Sequence, residues 1–296
     1  MDKYLDEFIL YLEIEKKMAV NSLEAYKRDI IEFTKMIKEK QSIKLTDVTN
    51  TEIIAYLLKL KNNNKSEATV NRKIASLRAF YNFMTMKGYL INNPTMNIKS
   101  PKIERKNIEF LTLQEIDRLL EQPDKSTKGI RDRAILELLY ATGIRVSEII
   151  ETNVEDINLR MGFVTCTGEH GKARIVPMGR PSKTAVEEYI YEARAKLLRD
   201  ENSEEKALFL NYYGSRMTRQ GLWKLLKDYA RQIGIDNKLT PQTLRNSFAV
   251  HMIQNGADLK SLQELLGHED ITATQIYLSV SKNHIKEVYD KTHPRA

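Results

Sequence analysis

Apolar residues recur every three or four positions through much of the first hundred residues. One such segment begins with two N-cap candidates, Asn21 and Ser22, and continues with Leu23, Tyr26, Ile30, Phe33 and Ile37. Similar patterns cover residues 4–12, 53–60 and 70–84, and polar turn segments separate them. Because this period matches one face of an α-helix, the pattern predicts a small bundle of four amphipathic helices.

The fourth of these segments combines an apolar stripe with basic residues. The stripe that is predicted to face the core consists of Val70, Ile74, Leu77 and Tyr81. Outside the stripe lie the basic residues Arg72, Lys73 and Arg78. Such a row of cations could bind DNA phosphates or simply form a solvated face, and the spacing does not distinguish these alternatives.

The segment NNPTMNIKSPKIERKN, residues 92–107, holds two prolines and several charges and has no periodicity. These features are typical of an extended linker between domains. The sequence therefore predicts an N-terminal helical domain over residues 1–91, a linker over 92–109 and a second domain over 110–296.

The second domain alternates between helical and strand-like patterns. Thr112 and Glu115 have the spacing of a capping box, and GIRDRAILELLYATG predicts an apolar helix that ends at Gly143. The segments GFVTCT and ARIVPM predict two strands of a hairpin, and helical patterns resume after them. The expected fold is mainly α (α+β), with a helical bundle followed by a mostly helical domain that carries a small antiparallel sheet.

Composition adds a weak preference for polyanions. The chain has 47 Lys and Arg against 40 Asp and Glu, which gives a net charge of +7. It has one cysteine, Cys166, so it cannot form an internal disulfide. We find no apolar run long enough to span a membrane and no signal-peptide pattern, and these features favour a cytoplasmic protein.

Four separated motifs carry candidate chemistry. They are ATGIRVSEI with Arg145, TPQTLRNSFAVHMI with Arg245, LLGHEDITATQIYLSV with His268 and Tyr277, and the final HPRA. Together, in this order, they resemble the tyrosine recombinase (phage integrase) family. The tail and the length are most similar to the Xer-type recombinases XerC and XerD, and the resemblance spans nearly the whole chain.

The resemblance implies a catalytic set of Arg145, Lys172, Arg245, His268 and Tyr277. Guanidinium groups can hold the nonbridging oxygens of a phosphodiester as charge grows in the transition state. A tyrosine attack would give a 3′-phosphotyrosyl link that another strand's hydroxyl can reverse, so neither ATP nor a metal cofactor is implied. Outside this motif set, each arginine would more often cap a helix or pair with a carboxylate.

Three positions depart from the family pattern. Gln242 and Asn246 stand where the family usually has histidine, and a glutamine cannot accept a proton near neutral pH. We assign Gln242 to DNA contact. Glu169 stands where the family hairpin usually has the lysine that protonates the leaving oxygen. Lys172, three residues later, either takes over that role or corresponds to a second basic residue that touches DNA or solvent.

The resemblance also implies partners. It predicts a clamp around double-stranded DNA, a homo- or hetero-tetramer on two DNA sites, no small-molecule substrate, and the translocase FtsK as a further partner in chromosome dimer resolution. Two alternatives stay open. They are a mobile-element integrase and a catalytically weakened or inactive DNA-binding paralogue.

The tail SKNHIKEVYDKTHPRA carries one short apolar face, formed by Ile285, Val288 and Tyr289. A stripe this short does not hold a helix in water, so it is expected to dock on another surface. That surface is either the chain's own second domain or, as the resemblance implies, a groove of the neighbouring protomer.

Overall fold

The computed structural model describes residues 3–41, 44–101, 108–168, 171–199, 204–268 and 270–278. The chain forms two compact units, residues 1–106 and residues 107–296. The predicted linker, 92–109, thus contributes to both units. The predicted tail helix with Ile285, Val288 and Tyr289 lies outside the described residues.

The first unit is a bundle of α1 (Lys3–Ile14), α2 (Val20–Gln41), α3 (Asn50–Asn62) and α4 (Glu67–Met86), as the periodicity predicts. Thr49 forms a capping box with Glu52 at the start of α3, and Ser66 caps α4. The core is aromatic at its centre, where the Phe8 and Phe80 rings meet edge to face at 5.3 Å.

The prediction for Lys73 is wrong, because this residue does not lie outside the core. Its side chain is buried, and its ammonium lies 2.7 Å from Glu32 Oε2 and 3.2 Å from Asp29 Oδ1. Arg72 also pairs with Asp29. The apolar lysine stem packs with the core while its charge meets carboxylates from α2, so the buried face of α4 is wider than its apolar stripe.

Part of the predicted linker packs on the first unit. Ile98 belongs to the buried core of the bundle, and the Arg78 guanidinium donates to the carbonyl of Ile98 and to Ser100 Oγ. Asn71 Nδ2 donates to the carbonyl of Pro101 at 2.9 Å. Side chains of α4 therefore fix an aperiodic segment through its backbone carbonyls, and such fixation leaves no periodic signal in the sequence.

The second unit is mainly helical. Its elements are α5 (Leu113–Leu120), α6 (Thr127–Thr142), α7 (Val146–Glu151), β1 (Ile157–Asn158), β2 (Phe163–Thr167), β3 (Ala173–Pro177), α8 (Arg180–Glu188) with a π-helical turn (Tyr189–Arg194), α9 (Ala195–Leu197), α10 (Arg219–Gln232), α11 (Pro241–Gln254), α12 (Leu259–Leu266) and α13 (Thr272–Gln275). Helix α6 is largely buried and packs against α8 and α11. The mainly α fold with a small antiparallel sheet is thereby confirmed.

The sheet has the antiparallel order β1-β2-β3. The predicted hairpin is confirmed, with Val164 opposite Val176 and Cys166 opposite Arg174. The short strand β1 was not predicted, because two residues are too few to show alternation. Within the described ranges, the structure has no helix that is long and apolar enough to cross a membrane.

Candidate active site

Two helix ends frame the candidate site. Helix α6 ends at Gly143 and helix α12 at Gly267, and both glycines have left-handed backbones, with φ of 57° and 63°. The last carbonyls of a helix have no partner within it. Here they accept from arginines: Gly143 O from Arg245, and Gly267 O from Arg145 Nη2 at 2.8 Å.

A Cβ at Gly143 would lie 2.4 Å from Cδ1 of Phe248, so the left-handed turn and the close packing both require glycine there. The predicted helix end at Gly143 is confirmed.

The carboxylate of Glu148 forms ion pairs with two arginines of the site. Arg145 precedes α7, and its Nη1 lies 3.0 Å from Glu148 Oε1, while Arg174 on β3 donates to both carboxylate oxygens at 2.6 and 2.9 Å. Burial alone would raise the pKa of Glu148, but its hydrogen bonds and the charges of Arg174 and Arg145 outweigh burial and lower the pKa to about 2. The carboxylate therefore stays ionised at neutral pH.

Arg245 is the most deeply buried of the three arginines. It lies on α11, donates to the carbonyl of Leu266 at 2.6 Å, and has its Nη2 3.1 Å from His268 Nε2. Burial is the largest cause, and repulsion from the charge of Arg145 the second, of a decrease in the pKa of Arg245 to about 10. The group is still a cation at neutral pH, and its cost of burial is offset by fixed carbonyl acceptors.

The contacts of His268 determine its tautomer. A guanidinium only donates, so Nε2 accepts from Arg245, and Nδ1 must carry the hydrogen that it donates to Thr274 Oγ1 at 2.9 Å. Burial and then the charges of Arg245 and Arg145 lower the pKa of His268 to about 4. His268 is therefore neutral at neutral pH, and it must change partners before it can donate to a phosphate.

Tyr277 is buried, with 2% of its surface exposed, in a cluster with Phe248 and Leu266. Its hydroxyl donates to Asn246 Oδ1 at 3.1 Å. Burial raises the pKa of Tyr277, and the charge of Arg245 partly opposes that rise. The ring is thus packed like a core residue, but its oxygen lies in the field of a catalytic arginine candidate.

The site carries a surplus of positive charge. Among the described residues that form it, the guanidiniums of Arg145, Arg174 and Arg245 outnumber the one carboxylate, Glu148, which bonds to Arg145 and Arg174. A surplus of fixed cations is suited to bind a phosphodiester. In the described part of the chain, no group of three or more His, Cys, Asp or Glu side chains could hold a metal ion.

Two hairpin residues, Lys172 and Glu169, were predicted to determine how the leaving oxygen is protonated. Lys172 is exposed directly before β3, and its carbonyl accepts a hydrogen bond from the amide of Gly168 at 2.9 Å. Glu169 lies outside the described residues. The assignment of Lys172 as the proton donor stays a prediction.

Two residues of the site, Arg174 and Thr274, were not predicted from the sequence. Arg174 shares the inner face of β3 with the buried Val176, and a charge on the buried face of a strand needs a partner. The alternation of exposed and buried positions along β3 could therefore have indicated that Arg174 has a buried partner. Thr274, which orients His268, left no comparable signal. Arg72, Lys73 and Arg78 belong to the first unit.

Comparisons with known proteins agree with the motifs. The phage integrase family matches residues 109–284, and the N-terminal SAM-like domain of phage integrases matches residues 5–88. The chain is 44% identical over 293 residues to the tyrosine recombinase XerD of Oceanobacillus iheyensis, covering 99% of this chain and 98% of that protein. It is 41% identical to XerD of Listeria innocua over the full length of both.

A solved structure shares the fold. The crystal structure of the XerH site-specific recombinase bound to a palindromic difH substrate, in a post-cleavage complex, superposes with a TM-score of 0.74 at 20% identity. The match covers 96% of this chain and 82% of that one.

Proposed function

The chain belongs to the phage integrase family of tyrosine recombinases, the site-specific DNA recombinases, and from this premise we propose that Tyr277 is its nucleophile. The single observation that carries the proposal is the position of the Tyr277 hydroxyl, which is buried beside Arg245 in a site with surplus positive charge. Base rates alone favour packing for a buried tyrosine, but packing does not require three guanidiniums around one carboxylate.

The reaction follows from this arrangement. The guanidiniums of Arg145, Arg174 and Arg245 hold the nonbridging oxygens of the scissile phosphate. The Tyr277 oxygen bonds to phosphorus and releases its proton to water, while the bond from phosphorus to the 5′-oxygen of the next nucleotide breaks and that oxygen takes up a proton as it leaves. We assign that donation to Lys172. Attack by a 5′-hydroxyl on the phosphotyrosine reverses the step and rejoins DNA.

The test is a Tyr277→Phe variant incubated with a nicked suicide DNA. The unchanged chain is expected to form a covalent adduct, and the variant to form none while its DNA affinity stays within about twofold, because one hydroxyl contributes little to a large charged interface. An adduct that persists in the variant would refute the nucleophile assignment.

For DNA binding outside the catalytic arginines, we propose Gln242, Arg72 and Arg78. Gln242 is exposed on α11 beside the site, and Arg72 keeps an exposed side chain although it pairs with Asp29. Lys73 is removed from this set because its ammonium is buried between two carboxylates.

The biological task that we propose is chromosome dimer resolution, by analogy with the XerD relatives. It entails a homo- or hetero-tetramer on two DNA sites, the translocase FtsK as a partner, and a location in the cytoplasm. A plasmid with two copies of a selected target site should recombine, and FtsK should increase the yield. Recombination that FtsK leaves unchanged would favour the mobile-element alternative.

A weakened DNA-binding paralogue is the second candidate function. The observation that favours it is Gln242, whose amide nitrogen donates to Asn246 Oδ1 at 2.9 Å and whose side chain cannot take the tyrosine proton. The suicide DNA separates the two functions, since a paralogue of this kind would bind the DNA and form no adduct.

A further inference from the structure

Asn246 follows Arg245 directly on α11 and links three groups. Its Nδ2 donates to the carbonyl of Glu109 at 3.0 Å, while its Oδ1 accepts from the Tyr277 hydroxyl at 3.1 Å and from Gln242 Nε2 at 2.9 Å. A carbonyl oxygen only accepts, so the Glu109 contact fixes which end of the amide is nitrogen. The amide oxygen must then face Tyr277.

A buried phenol needs a partner for its hydroxyl. Tyr277 is almost fully buried, and Asn246 supplies the acceptor that makes this burial tolerable. Asn246 and Arg245 are consecutive on one rigid helix, so the amide that holds the phenol keeps a fixed position relative to the guanidinium. The charge of Arg245 acts on the Tyr277 phenol.

We propose that Asn246 is a positioning residue for the nucleophile, holding the Tyr277 hydroxyl beside Arg245 before DNA arrives. The proposal rests on the proposed role of Tyr277. Its physical basis is orientation: a nucleophile that is already located near the phosphate site loses less freedom on reaching the transition state.

Asn246 is not the base in this scheme. An amide oxygen accepts a hydrogen bond but does not take a proton near neutral pH, so the contact favours the neutral phenol. The bond must therefore break as the tyrosine oxygen moves to phosphorus. Asn246 departs from the family pattern, and that departure supplies the hydrogen-bond partner of the nucleophile.

The first experiment measures the rate of adduct formation from preformed complexes of the full chain with suicide DNA. Asn246→Ala is expected to form the adduct about tenfold more slowly, which corresponds to the loss of one hydrogen bond, at unchanged DNA affinity. Asn246→Leu keeps the side-chain volume and should behave alike, so the test survives if the alanine variant folds poorly.

Asn255→Ala is the matched control. Asn255 is exposed just after the end of the same helix, and its Nδ2 donates to the carbonyl of His251 at 2.8 Å. The substitution removes a side-chain hydrogen bond of similar strength at a position away from the site. Adduct formation should therefore proceed at the rate of the unchanged chain.

The second experiment needs no DNA and no cleavage. With 3-fluorotyrosine at position 277, fluorine NMR follows the titration of that phenol, and Asn246→Ala should lower its pKa because an acceptor that favours the neutral form is lost. An unmoved titration, or an adduct rate that is unchanged or faster, would overturn the proposal. A shifted titration together with an adduct that survives Tyr277→Phe would instead refute the proposed nucleophile, not the contact.

Discussion

Each unit of the chain buries a carboxylate between two basic side chains, but the two clusters differ in charge balance. In the first unit, Asp29 meets Arg72 and Lys73, and Glu32 supplies a second carboxylate to the lysine. Two cations face two anions, and Ser76 Oγ completes the bonding of Asp29 at 2.8 Å. Such a neutral network ties α2 to α4.

In the second unit, Glu148 is the one described carboxylate among the guanidiniums of Arg145, Arg174 and Arg245. Backbone carbonyls at helix ends accept further hydrogen bonds from Arg145 and Arg245 without cancelling their charge. The comparison shows that a basic cluster indicates an anion site only when its cations outnumber the carboxylates around it. The number of basic residues in a segment does not carry this information.

The largest effect is expected where a cation is removed from the cluster with surplus charge. Arg145→Ala should slow adduct formation on suicide DNA on the order of 10³-fold, because a fixed donor to the transition state is lost. Arg72→Ala should change the same rate by less than about twofold once DNA is saturating. Equal losses in the two variants would contradict the distinction between the clusters.

An effect of intermediate size, on stability, is expected when a cation is removed from the neutral cluster of the first unit. Lys73→Met should lower the free energy of unfolding by about 2 kcal/mol, because Asp29 and Glu32 lose a buried partner while Arg72 still holds Asp29. Chemical denaturation measures the change.

Lys128→Met is the control for this measurement. Lys128 is 69% exposed, 4.0 Å from Asp132, and its loss should cost at most about 0.5 kcal/mol. If both lysines cost the same, the burial of Lys73 does not stabilise the first unit.

A smaller effect, a gain in cleavage rate, tests whether the site of the second unit lacks a base for the tyrosine proton. Gln242→His should raise the cleavage rate about tenfold by adding a group that can take the tyrosine proton, and the rate should then fall as pH drops below the histidine pKa, ordinarily about 6.5. Single-turnover cleavage and religation report the change. Unaltered rates in both directions would place the limiting defect at the hairpin position of Glu169.

The smallest expected effect is a pH dependence of stability. Because the pKa of His268 falls to about 4 on folding, the unfolded chain binds more protons between pH 6.5 and 4, so stability should decline as pH falls through that window. The lowered pKa of His251 acts in the same direction. His268→Gln should remove part of the decline in melting temperature, and an identical pH profile would show that folding does not depress the pKa of His268.

Helical periodicity was enough to predict the four-helix bundle, and a local glycine signal gave the end of the helix before Arg145. The sequence could not place Lys73, because a lysine next to an apolar stripe is compatible with either a buried or an exposed position. It also missed Arg174, whose partners Glu148 and Leu265 are distant along the chain. Pairing between polar groups that are distant along the chain leaves no local periodicity in the sequence. Only the structure could show these pairs.

The carbonyls that hold the arginines belong to Gly143, which ends α6, and to Leu266 and Gly267 at the end of α12. One residue inserted into either helix would advance its end by about 1.5 Å and rotate it by about 100°. The receiving carbonyl would then point away from its guanidinium although every catalytic side chain was still encoded. Helix length is therefore under tighter constraint than surface composition, and engineered insertions should be directed to loops away from Gly143 and Gly267.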